Sequence, residues 1–169
     1  MPFIERKRLR LENYSYSCPG AYFITVCTKN KQCIFGDVVG DGVHDVPELI
    51  LTEYGKIVAE QIETMNSIYE NIDVEKYIVM PNHVHLLIRV LESSSGSSRT
   101  PTPTNDVIPR FVSTLKRYCN KRFGEKVWQR SYNDHIIRDD NDYQNIWQYI
   151  DCNYMKWKID RYYNGRTDK

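Results

Sequence analysis

The order of apolar patterns along this chain predicts an α+β fold, an antiparallel sheet with helices on one face. Three observations carry that reading. Residues 77–80 (Tyr-Ile-Val-Met) and 83–88 (His-Val-His-Leu-Leu-Ile) are β-forming runs joined by Pro81-Asn82, which marks a hairpin. Segments 51–69 and 107–123, one on each side of that hairpin, space their apolar residues as helices do. Further β-formers stand at 21–28 and 127–137, and a last helical pattern runs from 139 to about 157. Strand, helix, strand, strand, helix, strand is the order of a ferredoxin-like plait, here with an extra C-terminal helix.

Each element has its own local signal. The N-terminal Arg6, Lys7, Arg8 and Arg10 form a basic arm, which reads either as a solvated end or as a phosphate contact. Ala21 to Thr28 follows Pro19-Gly20 and reads as the first strand. Residues 36–47 hold three glycines and a proline and read as loop. Leu51, Tyr54, Val58, Ile62 and Met65 give the first helix its apolar stripe. Residues 73–80 and 83–90 are the arms of the hairpin. Residues 91–104, rich in Ser, Pro and Thr, read as a flexible connection inside one domain spanning 1–169, since neither flank is large enough for its own core. Val107, Phe111, Leu115 and Tyr118 define the second helix; its other faces carry Arg110, Lys116, Arg117, Lys121 and Arg122. A basic helix face is either solvated or a phosphate-binding surface. Asp139 or Asp140 is the expected N-cap of the last helix. Its stripe is Tyr143, Trp147, Ile150, Tyr154 and Trp157.

Composition excludes some functions. The 169 residues carry a formal charge of +1, so any affinity for nucleic acid must come from local clusters. Five cysteines, an odd number without C-x-x-C spacing, fit reduced thiols in a cytoplasmic protein with no leader peptide. No apolar run approaches the roughly 20 residues that span a bilayer. No phosphate-binding P-loop or dinucleotide fingerprint is present.

The chemistry concentrates in His83-Val84-His85. Alternate residues of a strand share a face, so the two imidazoles project together while Val84, Leu86 and Ile88 point the other way. Such a pair suits a divalent metal, or it is merely hydrogen-bonded; no third His or Cys lies near, so a metal needs a ligand from a distant segment. On the last helix Tyr149 and Asn153 are one turn apart, on the flank of the apolar stripe. Tyr149 can pack its ring and leave its hydroxyl free, and the Asn153 amide oxygen can reach the same small volume. His135 reads as a partnered structural histidine or as a group for proton transfer or phosphate contact.

Several segments together resemble one family. Pro81-Asn82-His83-Val84-His85, residues 127–138 (Val-Trp-Gln-Arg-Ser-Tyr-Asn-Asp-His-Ile-Ile-Arg), and the helix with Tyr143, Tyr149 and Asn153 are similar to the HUH single-tyrosine transposases. The REP-associated branch is the nearest match, and Arg10-Leu11, Tyr16-Ser17 and residues 20–25 resemble it as well. The resemblance covers nearly the whole chain. It implies Tyr149 as nucleophile, His83, His85 and Asn153 as ligands of Mg²⁺ or Mn²⁺, and single-stranded or hairpin DNA as substrate. It also implies a monomer or homodimer that cleaves and rejoins DNA through a 5′-phosphotyrosine. Arg6, Lys7, Arg8, Arg10, Arg117, Lys121 and Arg122 become the candidate phosphate contacts. One position departs from the family pattern: Tyr154 stands where a proline usually follows the asparagine. Two other classes compete, a non-catalytic single-strand binder and a metal-dependent nuclease that uses water.

Overall fold

The computed structural model describes residues 14–40, 46–92 and 106–163. Four strands, β1 (Gly20–Cys27), β4 (Ile72–Met80), β5 (His83–Val90) and β6 (Asn133–Ile137), form an antiparallel sheet in the order β4-β5-β1-β6. The β4-β5 hairpin inserts β5 between β4 and β1, the strand order of the expected plait. Register along β1 and β5 sets Thr25 opposite His85 and Cys27 opposite His83.

One face of the sheet is the main core. Tyr22, Ile24, Val26, Val84, Leu86 and Ile88 meet the buried stripes of α1 (Glu53–Ile68) and α2 (Val107–Phe123). Helix α1 begins where Thr52 accepts the Gly55 amide in its side chain, and α2 ends at Gly124, whose φ of 75° is the left-handed cap that glycine tolerates. Gly55 itself lies against the Phe35 carbonyl, where any Cβ would collide with the oxygen, so the helix seats closely on the preceding turn.

The start of α2 is held from a distance. Ser17 accepts the Val107 amide in its hydroxyl, and the buried Asp106 carboxylate accepts from the Tyr16 amide and from Ser15 and Ser17. The connection 93–105 and the arm 1–13 lie outside the described residues, and with them Arg6, Lys7, Arg8 and Arg10.

The opposite face of the sheet is covered rather than bare. Helix α3 (Asp140–Cys152) packs Ile146 and Ile150 on Leu87, with Phe23, Ile78, Ile137, Tyr143 and Trp147 around them. Asp139 caps it by accepting the Asp142 amide. The helix is shorter than its sequence pattern suggests: from Tyr154 to Ile159 the chain tightens into a 3₁₀ turn, with a break at Lys156. Trp157 thereby leaves the α3 stripe and joins a separate cluster with Cys27, Met80 and Tyr162.

Two further stretches differ from expectation. The segment read as loop contains β2 (Gly36–Val39), which pairs with β3 (Glu48–Leu51) as a small ribbon. Of residues 127–137 only the last five enter the sheet, while Trp128 makes an isolated bridge to Thr28.

Candidate active site

The chemistry-bearing face of β5 and the exposed flank of α3 meet over one small volume. His83 and His85 are both fully buried there, and their Nε2 atoms stand 3.0 Å apart. Each ring is oriented at its other nitrogen: His83 Nδ1 is 2.8 Å from Asn82 Oδ1, and His85 Nδ1 is 2.8 Å from Thr25 Oγ1. Phe23 stacks on His85 at 4.9 Å between ring centroids, and Tyr162 lies 4.5 Å from the His83 ring.

Tyr149 enters from α3. Its ring makes edge contacts with Phe23 at 5.9 Å and His85 at 5.2 Å. Its hydroxyl lies 3.3 Å from His85 Nε2 and donates to Asp160 Oδ2 at 3.2 Å. The residue as a whole is 39% exposed. Asn153, one turn later, is buried; it donates from Nδ2 to Asp160 Oδ2 at 3.1 Å, and its Oδ1 has no partner among the described residues.

Asp160 is the member that sequence reasoning missed. One ligand atom from each of His83, His85 and Asp160 fits within a 4.8 Å cluster. The carboxylate is fixed by the Tyr162 amide, which donates to Oδ1 at 2.7 Å. It reaches the site only because the chain tightens after Cys152, a change of pitch with no local sequence signal. Asn82, Thr25 and Tyr162 were missed too. Asn82 had a signal in its place directly before the first histidine.

Electrostatics keep both histidines neutral. Burial holds the His83 imidazole down at about 4, against the upward pull of Asp160, with Arg161 and Lys31 also lowering it. Burial, then His83 and Arg161, hold His85 well below its usual range. Tyr149 is pushed up to about 12 by burial and the Asp160 charge, so its hydroxyl keeps its proton at neutral pH.

A pH dependence of stability follows. Unfolded histidine titrates near about 6.5, so below that pH the unfolded chain takes up protons that buried His83 refuses down to about 4. Stability is therefore complete above pH about 6.5 and falls as the pH drops toward about 4. Urea midpoints measured across that range should decline, and His83→Gln should make the decline shallower, His85 contributing the remainder.

The donor set passes a test of fit for a divalent ion. Two neutral imidazoles and a carboxylate converge there, and Asn153, which donates to that carboxylate, keeps a buried amide oxygen with no partner among the described residues. The 3.0 Å between the ring nitrogens matches neighbouring ligands of an octahedral ion with bonds of about 2.1 Å.

The other sequence candidates lie elsewhere. His135 sits on β6 opposite Phe23 and contacts Asp142 Oδ2 through Nε2 at 2.7 Å; no described hydrogen bond joins it to Tyr149 or the paired histidines. Arg117, Lys121 and Arg122 are exposed on α2, with the sheet between them and the histidines. Arg122 is already engaged by Glu60.

Comparison with known proteins bears on this geometry. No family model matches the chain. An uncharacterised protein of Haemophilus influenzae is 30% identical over 94% of this chain and 93% of its own length. A candidate REP-associated tyrosine transposase of the same organism is 28% identical over 46% of this chain and 47% of its own length. In three dimensions, a REP-associated tyrosine transposase solved with a bound REP hairpin superposes with a TM-score of 0.61 at 18% identity. That match covers 87% of this chain and 73% of the other, and it shows the shared fold. The fold is the one seen in that REP-associated tyrosine transposase, and over about half its length the sequence is similar to a candidate member of the same group.

Proposed function

We propose that this DNA-processing protein cleaves and rejoins single-stranded DNA at hairpin elements through a covalent bond to Tyr149, with a divalent metal. The observation that carries this reading is the Tyr149 hydroxyl, 3.3 Å from His85 Nε2 and 3.2 Å from Asp160 Oδ2. Similarity to REP-associated tyrosine transposases supports the DNA-processing class, and the hairpin carried by the related structure supports the substrate.

The chain's own groups divide the work. His83, His85, Asn153 and Asp160 would hold Mg²⁺ or Mn²⁺, and the bound ion would polarise the scissile phosphate. Tyr149 Oη attacks phosphorus as the bond to the 3′-oxygen breaks. The 5′-phosphate stays on the tyrosine, and the departing oxygen gains a proton to become a free 3′-OH. Because Tyr149 holds its proton at neutral pH, the attack needs an acceptor, and Asp160 Oδ2 lies 3.2 Å away. Attack by a 3′-OH on the phosphotyrosine reverses the step and joins strands, with no outside energy source. The contact of Tyr149 with His85 of its own chain supports a set drawn from one chain.

The test is a denaturing gel of protein, Mn²⁺ and labelled hairpin DNA with a single-stranded flank. A covalent band that disappears with chelator is the expected result. Cleavage without a band favours water as the nucleophile, and binding alone favours a non-catalytic binder.

The α2 cations give a separate expectation. Neutralising Arg117, Lys121 and Arg122 together should weaken binding and flatten its salt dependence, by about 0.9 in log–log slope for each duplex phosphate that these side chains neutralise. Since Glu60 already engages Arg122, most of the change should come from Arg117 and Lys121. Equal affinity and slope in the triple variant would remove α2 from the DNA-binding surface.

A further inference from the structure

Asn82 lies fully buried at the β4-β5 turn, and its amide joins three parts of the chain. Nδ2 donates to the Lys31 carbonyl at 3.1 Å and to the Tyr162 carbonyl at 2.9 Å. Two carbonyl oxygens can face only the nitrogen end of an amide, so the oxygen end necessarily points at His83. Oδ1 stands 2.8 Å from His83 Nδ1 and can only accept there.

We propose that Asn82 is the positioning residue of the site: it fixes His83 as the Nδ1–H tautomer, so that the Nε2 lone pair always faces the metal position. The second histidine lacks such control. Its Nδ1 meets the Thr25 hydroxyl, which can donate or accept, so His85 can place its proton on either nitrogen. Without metal, His85 Nε2–H donates across the 3.0 Å gap to the fixed lone pair of His83. When metal arrives, only His85 has to rearrange. Holding one ligand ready removes part of the cost of ordering the pair.

The metal half of this inference rests on the proposed function; the tautomer half does not. The experiment therefore begins with metal-free protein at pH 7.5, reading the ¹⁵N–¹H correlation pattern of the His83 ring. The Nδ1–H pattern is expected, and an Nε2–H pattern would overturn the proposal. Asn82→Asp keeps an acceptor toward His83 and should keep the Nδ1–H pattern; Asn82→Leu removes the acceptor and should give mixed tautomers. Mn²⁺ titration then separates the roles. Asn82→Leu should bind about 10- to 100-fold more weakly, the usual cost of losing a group that orients a ligand, while Asn82→Asp recovers most of the loss. Equal weakening in both variants would make Asn82 a purely structural bridge and sink the idea. If wild-type protein binds no Mn²⁺, the metal reading falls, and the ring spectra alone decide the tautomer assignment.

Discussion

Tyr149→Phe is expected to abolish the covalent protein–DNA band and to lower cleavage by about a thousandfold or more, the scale on which loss of a nucleophile is felt. The change removes one oxygen and little else. The ring keeps its contacts with Phe23 and His85, and Asp160 keeps its bonds from Asn153 and the Tyr162 amide. Stability should move by no more than about 1 kcal/mol, the net worth of one ordinary hydrogen bond. DNA affinity should hold, since binding is carried by phosphate contacts and stacking rather than by the phenol oxygen. The gel is thus read against a folded, DNA-binding control. Cleavage at the wild-type rate would transfer the reaction to water and leave Tyr149 as packing.

His85→Ala should produce the second large effect, loss of measurable Mn²⁺ binding together with loss of the covalent band. His85 is the hub of the site: its Nε2 lies 3.0 Å from His83 and 3.3 Å from the tyrosine hydroxyl. Removing it takes a ligand and leaves the Thr25 hydroxyl without its 2.8 Å partner. Because a buried ring is lost, the fold must be checked alongside by circular dichroism, and His85→Gln provides a variant closer in volume. Manganese binding undiminished in a folded His85→Gln protein would move the metal away from the paired histidines.

The parts of the molecule with strong periodicity were legible in the sequence. Alternation along His83–Val90 put the histidines on one face and Val84, Leu86 and Ile88 on the other, and the sheet divides them that way. The apolar stripe of 107–123 gave α2 its full extent. Tyr149 on the flank of the α3 stripe has its ring packed on Phe23 and His85, while its hydroxyl meets His85 and Asp160. What escaped depends on partners distant in sequence. The β2-β3 ribbon consists of two four-residue strands set among glycines and a proline, too short for period 2 to stand out. Asp160 is brought to the site by a 3₁₀ turn whose pitch no spacing rule anticipates. His135 carried a motif's suggestion of chemistry, yet its neighbour is Asp142, at the entrance of α3.

The Tyr162 carbonyl that holds Asn82 has a consequence for the protein's birth. A span of 80 residues separates the two partners, and Asp160 lies 11 residues beyond the tyrosine it touches. A ribosome making this chain completes the histidine strand early, but the clasp around it must await a stretch of message 80 codons further on. An unfinished polypeptide therefore carries its histidines without Asp160 or the Tyr162 clasp.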